Sequence, residues 1–124
     1  MQLSLDQPRH EYVLRGADGS GAKVNDRILT RSFVIAPSAL LEAWAATAVG
    51  EIQPTDLEPL FQLQPEVILI GGGDRQGFIP AIAQAAALKR GIGIEVMTNA
   101  AAARTFNVLA SEDRRVVAGF LFPA

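Results

Sequence analysis

The sequence predicts an α/β domain: N-terminal antiparallel hairpins followed by a β-α-β-α-β unit. Three observations carry this. Residues 65–118 alternate short apolar runs with alanine-rich stretches of helical period, and a run of three glycines, Gly71, Gly72 and Gly73, closes the first apolar run. Residues 1 to about 50 carry strand and turn signals instead. The chain has 124 residues, 49% hydrophobic and 19% charged, which sets one domain over 1–124 with a core of its own and no linker, repeat or low-complexity segment.

In the N-terminal half, Gly16-Ala17-Asp18-Gly19-Ser20-Gly21 is the clearest turn. Tyr12-Val13-Leu14-Arg15 and Ala22-Lys23-Val24 flank it as hairpin arms, and Asn25-Asp26 predicts a second tight turn. Residues 28–35 alternate loosely and predict one strand, which Ala36-Pro37-Ser38 breaks. Residues 38–49 are ambiguous. Ser38 as a cap and Leu40, Leu41, Trp44, Ala45 and Ala48 as a stripe fit a helix, while 41–46 could be a strand.

Pro54-Thr55-Asp56 predicts a short helix with Thr55 as N-cap and Glu58 completing a capping box, burying Leu57, Leu60 and Phe61 before Pro65 ends it. Val67-Ile68-Leu69-Ile70 is wholly apolar, as in a strand covered on both faces. The next helix is expected over 78–90, with Pro80 in its first turn, Lys89 and Arg90 at the negative end of its dipole and Gly91 at C′. A strand over 92–97 follows. Thr98 then caps a helix to about Ala110 that buries Ala102, Phe106 and Leu109, and residues 115–122 return as a strand.

Composition excludes several functions. There is no cysteine, so disulfides, thiolate metal sites and cysteine nucleophiles are out. One histidine, His10, excludes a multi-histidine metal site, and no cofactor is expected. A net charge of −2 argues against nucleic acid as a partner. The first residues lack the basic region of a signal peptide, and no segment approaches the roughly 20 apolar residues of a membrane span. A soluble cytoplasmic protein is the expectation.

Pro65-Glu66-Val67-Ile68-Leu69-Ile70-Gly71-Gly72-Gly73-Asp74, Arg90-Gly91-Ile92-Gly93-Ile94-Glu95-Val96-Met97, the run from Thr98 through Arg104, Phe106 and Asn107 to Leu109, and Glu112-Asp113-Arg114-Arg115-Val116 together resemble a domain-of-unknown-function family. That family includes the mitochondrial NADH dehydrogenase (complex I) assembly factor 3 and an adipogenesis-associated cytoplasmic protein, with many bacterial and archaeal members. The resemblance extends from about Tyr12 to Pro123 and is tightest in the C-terminal half. It implies a compact three-layer sandwich with a mixed central sheet, and a strand rather than a helix around Trp44. It also implies assembly or adaptor work. The first residues do not read as a transit-type segment, so the mitochondrial location of some members is not expected to carry over.

The glycine loop is the first candidate site. N–H groups at a strand's carboxyl end can hold an anion, and three glycines equally serve a sharp turn. The G-x-G-x-x-G spacing fails, since the glycine after Gly73 is Gly77, and Asp74 brings negative charge that Arg75 could offset. Thr98 and Asn99 open a helix near the same sheet edge, and Arg104 and Asn107 share one face of it. The nine residues Gly71, Gly72, Gly73, Asp74, Arg75, Thr98, Asn99, Arg104 and Asn107 are therefore one candidate pocket for a small anionic ligand, with Arg104 as anchor and Asn107 as orienting group. The competing expectation is a capped helix with a solvated face.

Glu95 interrupts an apolar strand. Its spacing from the loop is that of a ribose-binding acid, but an ion pair with Arg104 or Arg75 is the simpler expectation. His10 has no triad-like context, Ser38 and Ser111 read as caps, and no G-x-S-x-G elbow exists. Trp44 is expected as a core or interface anchor. Ala118-Gly119-Phe120-Leu121-Phe122 suits a buried strand or a dimer surface.

No catalytic residue is assigned, and the chain is expected to be a non-catalytic binding or assembly module with a protein partner, as monomer or homodimer. The alternative is an enzyme or small-molecule-binding protein that uses the loop at 71–73 for an anionic metabolite.

Overall fold

The turn residues act where the sequence puts them. In the computed structural model, which describes residues 11–123, β1 (Leu14–Ala17) and β2 (Ala22–Val24) form the first hairpin and β3 (Arg27–Leu29) pairs back on β2. Asn25 sits at φ 52° in the second turn, a left-handed geometry that asparagine tolerates. This antiparallel sheet has the order β1-β2-β3. His10 lies outside the described residues.

The central sheet has five strands. β4 (Phe33–Ala36) and β5 (Ala39–Leu41) form a hairpin through Pro37 and Ser38; β6 (Val67–Gly71), β7 (Gly93–Met97) and β8 (Val116–Phe120) follow. The order is β5-β4-β8-β6-β7, parallel where β6 meets β7 and β8, antiparallel where β4 meets β8 and β5. Helices α1 (Pro54–Phe61) and α2 (Ala81–Leu88) cover one face, packing Leu57, Leu60, Phe61, Ala83 and Ala87 on Val34, Ile68, Ile70 and Val117. Helix α3 (Asn99–Ser111) and the hairpins cover the other, with Phe106, Ala102, Leu14 and Val24 on Phe33, Leu69 and Phe120. The fold is thus the three-layer α/β arrangement with a mixed central sheet. Phe33 stacks on Phe120 at 5.0 Å between ring centroids, in the middle of the second core.

Five expectations need correction. Residues 28–35 are two strands: the chain leaves the hairpin sheet at β3 and joins the central sheet at β4. At the crossing, buried Ser32 accepts the Phe122 N–H at 2.9 Å. Trp44 lies beyond β5 in neither strand nor helix. Its Nε1–H donates to the Asp56 carbonyl at 2.8 Å and its N–H to the Ser32 carbonyl at 3.2 Å, so those bonds fix an irregular segment. The cap of α1 lies two residues early: Gln53 is the N-cap, Pro54 takes the first turn and the Asp56 carboxylate accepts the Gln53 N–H at 2.8 Å, in place of Thr55 with Glu58. Helix α2 starts at Ala81 because Pro80 sits at its N-cap with extended ψ of 143°, which leaves Phe78 outside the helix. Leu109 is only half-buried. By contrast, β8 is buried throughout between β4 and β6, so of its two readings the interior strand holds.

Candidate functional site

The site begins with topology. After β6 the chain crosses one face of the sheet as α2, and after β7 it crosses the other as α3. Adjacent parallel strands whose connections diverge leave a crevice at their carboxyl ends, where open α/β sheets hold ligands. Gly71, Gly72 and Gly73 follow β6 there, and Thr98 and Asn99 follow β7. Thr98 caps α3, its Oγ1 accepting the Ala101 N–H at 3.2 Å.

That crevice is filled by the chain itself. The Gly72 N–H donates to the Met97 carbonyl at 2.9 Å, and the Gly73 N–H to Asn99 Oδ1 at 3.1 Å. The Asn99 N–H returns to the Gly73 carbonyl at 2.8 Å. Asn99 is 0% exposed, and its Nδ2 donates to the Asp18 carbonyl at 2.9 Å. The turn between β1 and β2 therefore lies across the crevice. Gly19 donates its N–H to Asp74 Oδ1 at 2.6 Å, closing the same corner from outside. Close approach requires Gly71, where a Cβ would strike the buried Asn99 Oδ1 and press on the Phe120 ring, while a Cβ at Gly19 would displace the exposed Asp74 carboxylate.

Within the turn, the Asp18 carboxylate accepts from the Ser20 hydroxyl at 2.7 Å and from the N–H groups of Ser20 and Gly21. The Ser20 hydroxyl, then these two N–H groups, hold its pKa below the ordinary aspartate value. A cavity of about 430 Å³ flanks the turn, lined by Asp18, Ser20, Gly21, Lys23, Ile28 and Thr30 among others.

The nine sequence-derived residues divide. Gly71, Gly72, Gly73, Asp74, Thr98 and Asn99 meet at one corner. Arg75 is exposed on the loop beside them. Arg104 is exposed on α3, about 8 Å along the axis from Asn99 at the helical rise, and neither arginine makes an ion pair among the described residues. Asn107 is a further turn away and engaged elsewhere: it accepts the Leu14 N–H at 3.0 Å and donates to the Leu14 carbonyl at 2.6 Å, docking β1 on α3. Glu95 has neither expected ion pair. It lies on β7, one of the sheet's two edge strands, and is exposed to solvent, so burial imposes no partner. The residues that sequence reasoning missed are Asp18, Gly19 and Gly21. Their glycine-rich Asx turn was legible, but its docking 55 residues away on Asp74 has no local signal. Among the described residues no cluster of side chains suits a metal ion, and no helix is long and apolar enough to cross a membrane.

Comparison with known proteins gives this geometry a family. Residues 14–121 match the family described as "Protein of unknown function (DUF498/DUF598)". Over 105 residues the chain is 30% identical to the NADH dehydrogenase [ubiquinone] 1 alpha subcomplex assembly factor 3 of Danio rerio, covering 83% of this chain; it spans 60% of that relative's length. The solved structure of XCC1710 from Xanthomonas campestris superposes with a TM-score of 0.84 at 50% identity, over 98% of this chain and 92% of that one. A Bordetella pertussis protein described as a Mth938-like domain gives 0.78 at 27% identity, over 98% and 92%. The match runs from β1 to the residue after β8, so every described strand and helix falls within it, and the chain belongs to the DUF498/DUF598 family of proteins of unknown function.

Proposed function

We propose that this protein is a non-catalytic binding module of bacterial cytoplasm that serves in protein assembly by holding a protein partner. The observation that carries the reading is the fully buried Asn99. Its amide joins the glycine loop, the start of α3 and the hairpin turn, so the polar groups of the crevice are committed to the fold. The likeness to a complex I assembly factor supports the same class of work. The test is affinity purification of the tagged chain from its native cell. A defined partner at reproducible stoichiometry is expected; recovery of the chain alone in repeated purifications overturns the reading.

A second reading has its own support. The crevice is the usual ligand position of such sheets, and Arg75 and Arg104 stand near it without ion pairs among the described residues. In this reading a small anionic metabolite binds at Gly71, Gly72, Gly73, Asp74, Arg75, Thr98, Asn99, Arg104 and Asn107, as substrate of an enzyme or as a bound ligand, after the 18–21 turn swings off Asp74. Thermal-shift titration against a panel of anionic metabolites tests it. A concentration-dependent rise in Tm that Arg104→Ala and Asp74→Ala each weaken is expected; equal shifts in wild type and both variants remove it.

A further inference from the structure

Helix α2 is apolar on every side. Of its eight residues only Gln84 is polar. Ala83 and Ala87 are fully buried on the sheet, while Ala81, Ile82, Ala85 and Leu88 face outward. Ile82 and Leu88 are each 63% exposed, and Phe78, just before the helix, is 90% exposed. A helix that is hydrophobic all round is normally covered on both sides. Here the described residues cover one.

We propose that the outward face of α2 binds the same face of a second copy, with the two helices antiparallel about a two-fold axis. Charge favours a copy as the occupant. Residues 76–88 contain no charged side chain, so the face meets itself without repulsion, and a net charge of −2 per chain adds little. Size favours it as well. Antiparallel pairing sets Leu88 of one copy against Ala81 of the other, large on small, with Ala85 near the axis where close approach of the backbones is needed. Phe78, Ile82 and Leu88 expose on the order of 400 Å² together, taking roughly 200 Å² for a whole large side chain. That is about half of the ~800 Å² each partner contributes to a stable contact, in keeping with an apolar centre and a polar rim. The rim is at hand in Glu58, Lys89 and Arg90, which line the groove between α1 and α2, where Arg90 pairs with Glu58 at 3.5 Å.

The neighbouring strand edge is closed to the alternative of sheet extension. β7 carries exposed Glu95 at its centre, and Gln76 Nε2 reaches the Val96 carbonyl at 3.4 Å. A charge on an edge strand is a device against pairing.

Sedimentation equilibrium of the full chain from micromolar to millimolar concentration tests the proposal. A reversible dimer is expected, with Ile82→Glu and Leu88→Glu each raising its dissociation constant at least tenfold while the circular dichroism spectrum stays native. The absence of cysteine supplies a second measurement that does not depend on those variants folding. Ala85→Cys, oxidised at a concentration where the dimer forms, should link to its own copy, whereas Val108→Cys, at an exposed position of α3, should not. A wild-type chain that stays monomeric at millimolar concentration overturns the proposal and leaves the face to a foreign partner. So does a dimer insensitive to both glutamates, or equal cross-linking from residues 85 and 108.

Discussion

Asn99 and Gly73 exchange two hydrogen bonds: the glycine N–H goes to the side-chain oxygen at 3.1 Å, and the asparagine N–H returns to the glycine carbonyl at 2.8 Å. The pair joins the carboxyl ends of β6 and β7, and the side-chain amide of Asn99 donates to the Asp18 carbonyl of the hairpin turn at 2.9 Å and to the Leu121 carbonyl at 3.5 Å. A residue that bridges three segments from a fully buried position acts as a cross-link without covalent bonds.

Asn99→Ala leaves the Gly73 N–H and the Asp18 carbonyl without partners. A fully buried orphan costs about 1–3 kcal/mol; both groups here are only partly buried, so a loss of about 1–3 kcal/mol in all is expected. Urea unfolding should show a lower midpoint with an unchanged slope. A loss below about 0.5 kcal/mol, within the usual range for surface substitutions, would mean that water replaces the amide and the corner is loosely built.

Gly119 on β8 faces the Trp44 ring, and an added Cβ would lie 2.5 Å from Cζ3 and 2.6 Å from Cη2. The ring has no easy retreat, since its Nε1–H is bonded to the Asp56 carbonyl and the residue is buried. Gly119→Ala should therefore cost about 1–3 kcal/mol by overpacking. Trp44 is the chain's only tryptophan, so a change in its emission reports the displacement directly. In the Trp44→Ala background the alanine at 119 should cost much less, because the clash is gone.

The same contact explains what the sequence could and could not tell. Strands β6, β7 and β8 and helix α3 were legible because local signals agree: an unbroken apolar run, a Thr98 cap, a Gly91 at φ 73° behind α2. The segment around Trp44 was not, because what fixes it is the empty space at Gly119 and the Asp56 carbonyl, neither visible in a window of neighbours. The start of α2 departs from expectation because Pro80 suits either a first turn or a cap, and only the extended backbone decides. At the candidate site, the meeting of the glycine loop with Thr98 and Asn99 followed from the β-α-β order. The turn that covers it, and the engagement of Asn107 with Leu14, arise from packing between halves of the chain.

Asn107 holds β1 by both Leu14 backbone groups, at 3.0 and 2.6 Å, and Leu14 itself is 3% exposed. Asn107→Ala strands a buried donor and acceptor, and a loss of about 1–3 kcal/mol is expected. Asn107→Asp keeps an acceptor for the Leu14 N–H but sets a carboxylate oxygen against the Leu14 carbonyl, so at neutral pH it should not recover the loss. Hydrogen exchange locates the effect: the Leu14 amide should lose protection in the alanine variant while amides of β6 and β8 keep theirs. Protection lost evenly across the central sheet would show that the hairpins and the sheet unfold together.

Glu66 links the loop before β6 to the start of β8. Its Oε1 accepts the Arg115 N–H at 2.9 Å and faces Arg114 Nε at 3.2 Å. The Arg115 N–H first, then the Arg114 guanidinium, hold its pKa below the ordinary glutamate value. A group with a lowered folded pKa stabilises fully above its unfolded value, and that contribution disappears as the pH falls through the folded value. Wild type should therefore lose Tm below about pH 4.3, the unperturbed glutamate value, in part through Glu66. Glu66→Gln removes the titration but leaves an amide oxygen for the Arg115 N–H. Its Tm should lie below wild type at pH 7 and the two curves should converge as the pH approaches 3, with a residual slope from Asp18 and Glu42, whose pKa values are lowered in the same direction. Both side chains are partly exposed, at 44% for Arg114 and 35% for Glu66, so the separation should be small and shrink further in high salt. Parallel Tm curves from pH 7 to 3 would assign the acid sensitivity to other carboxylates.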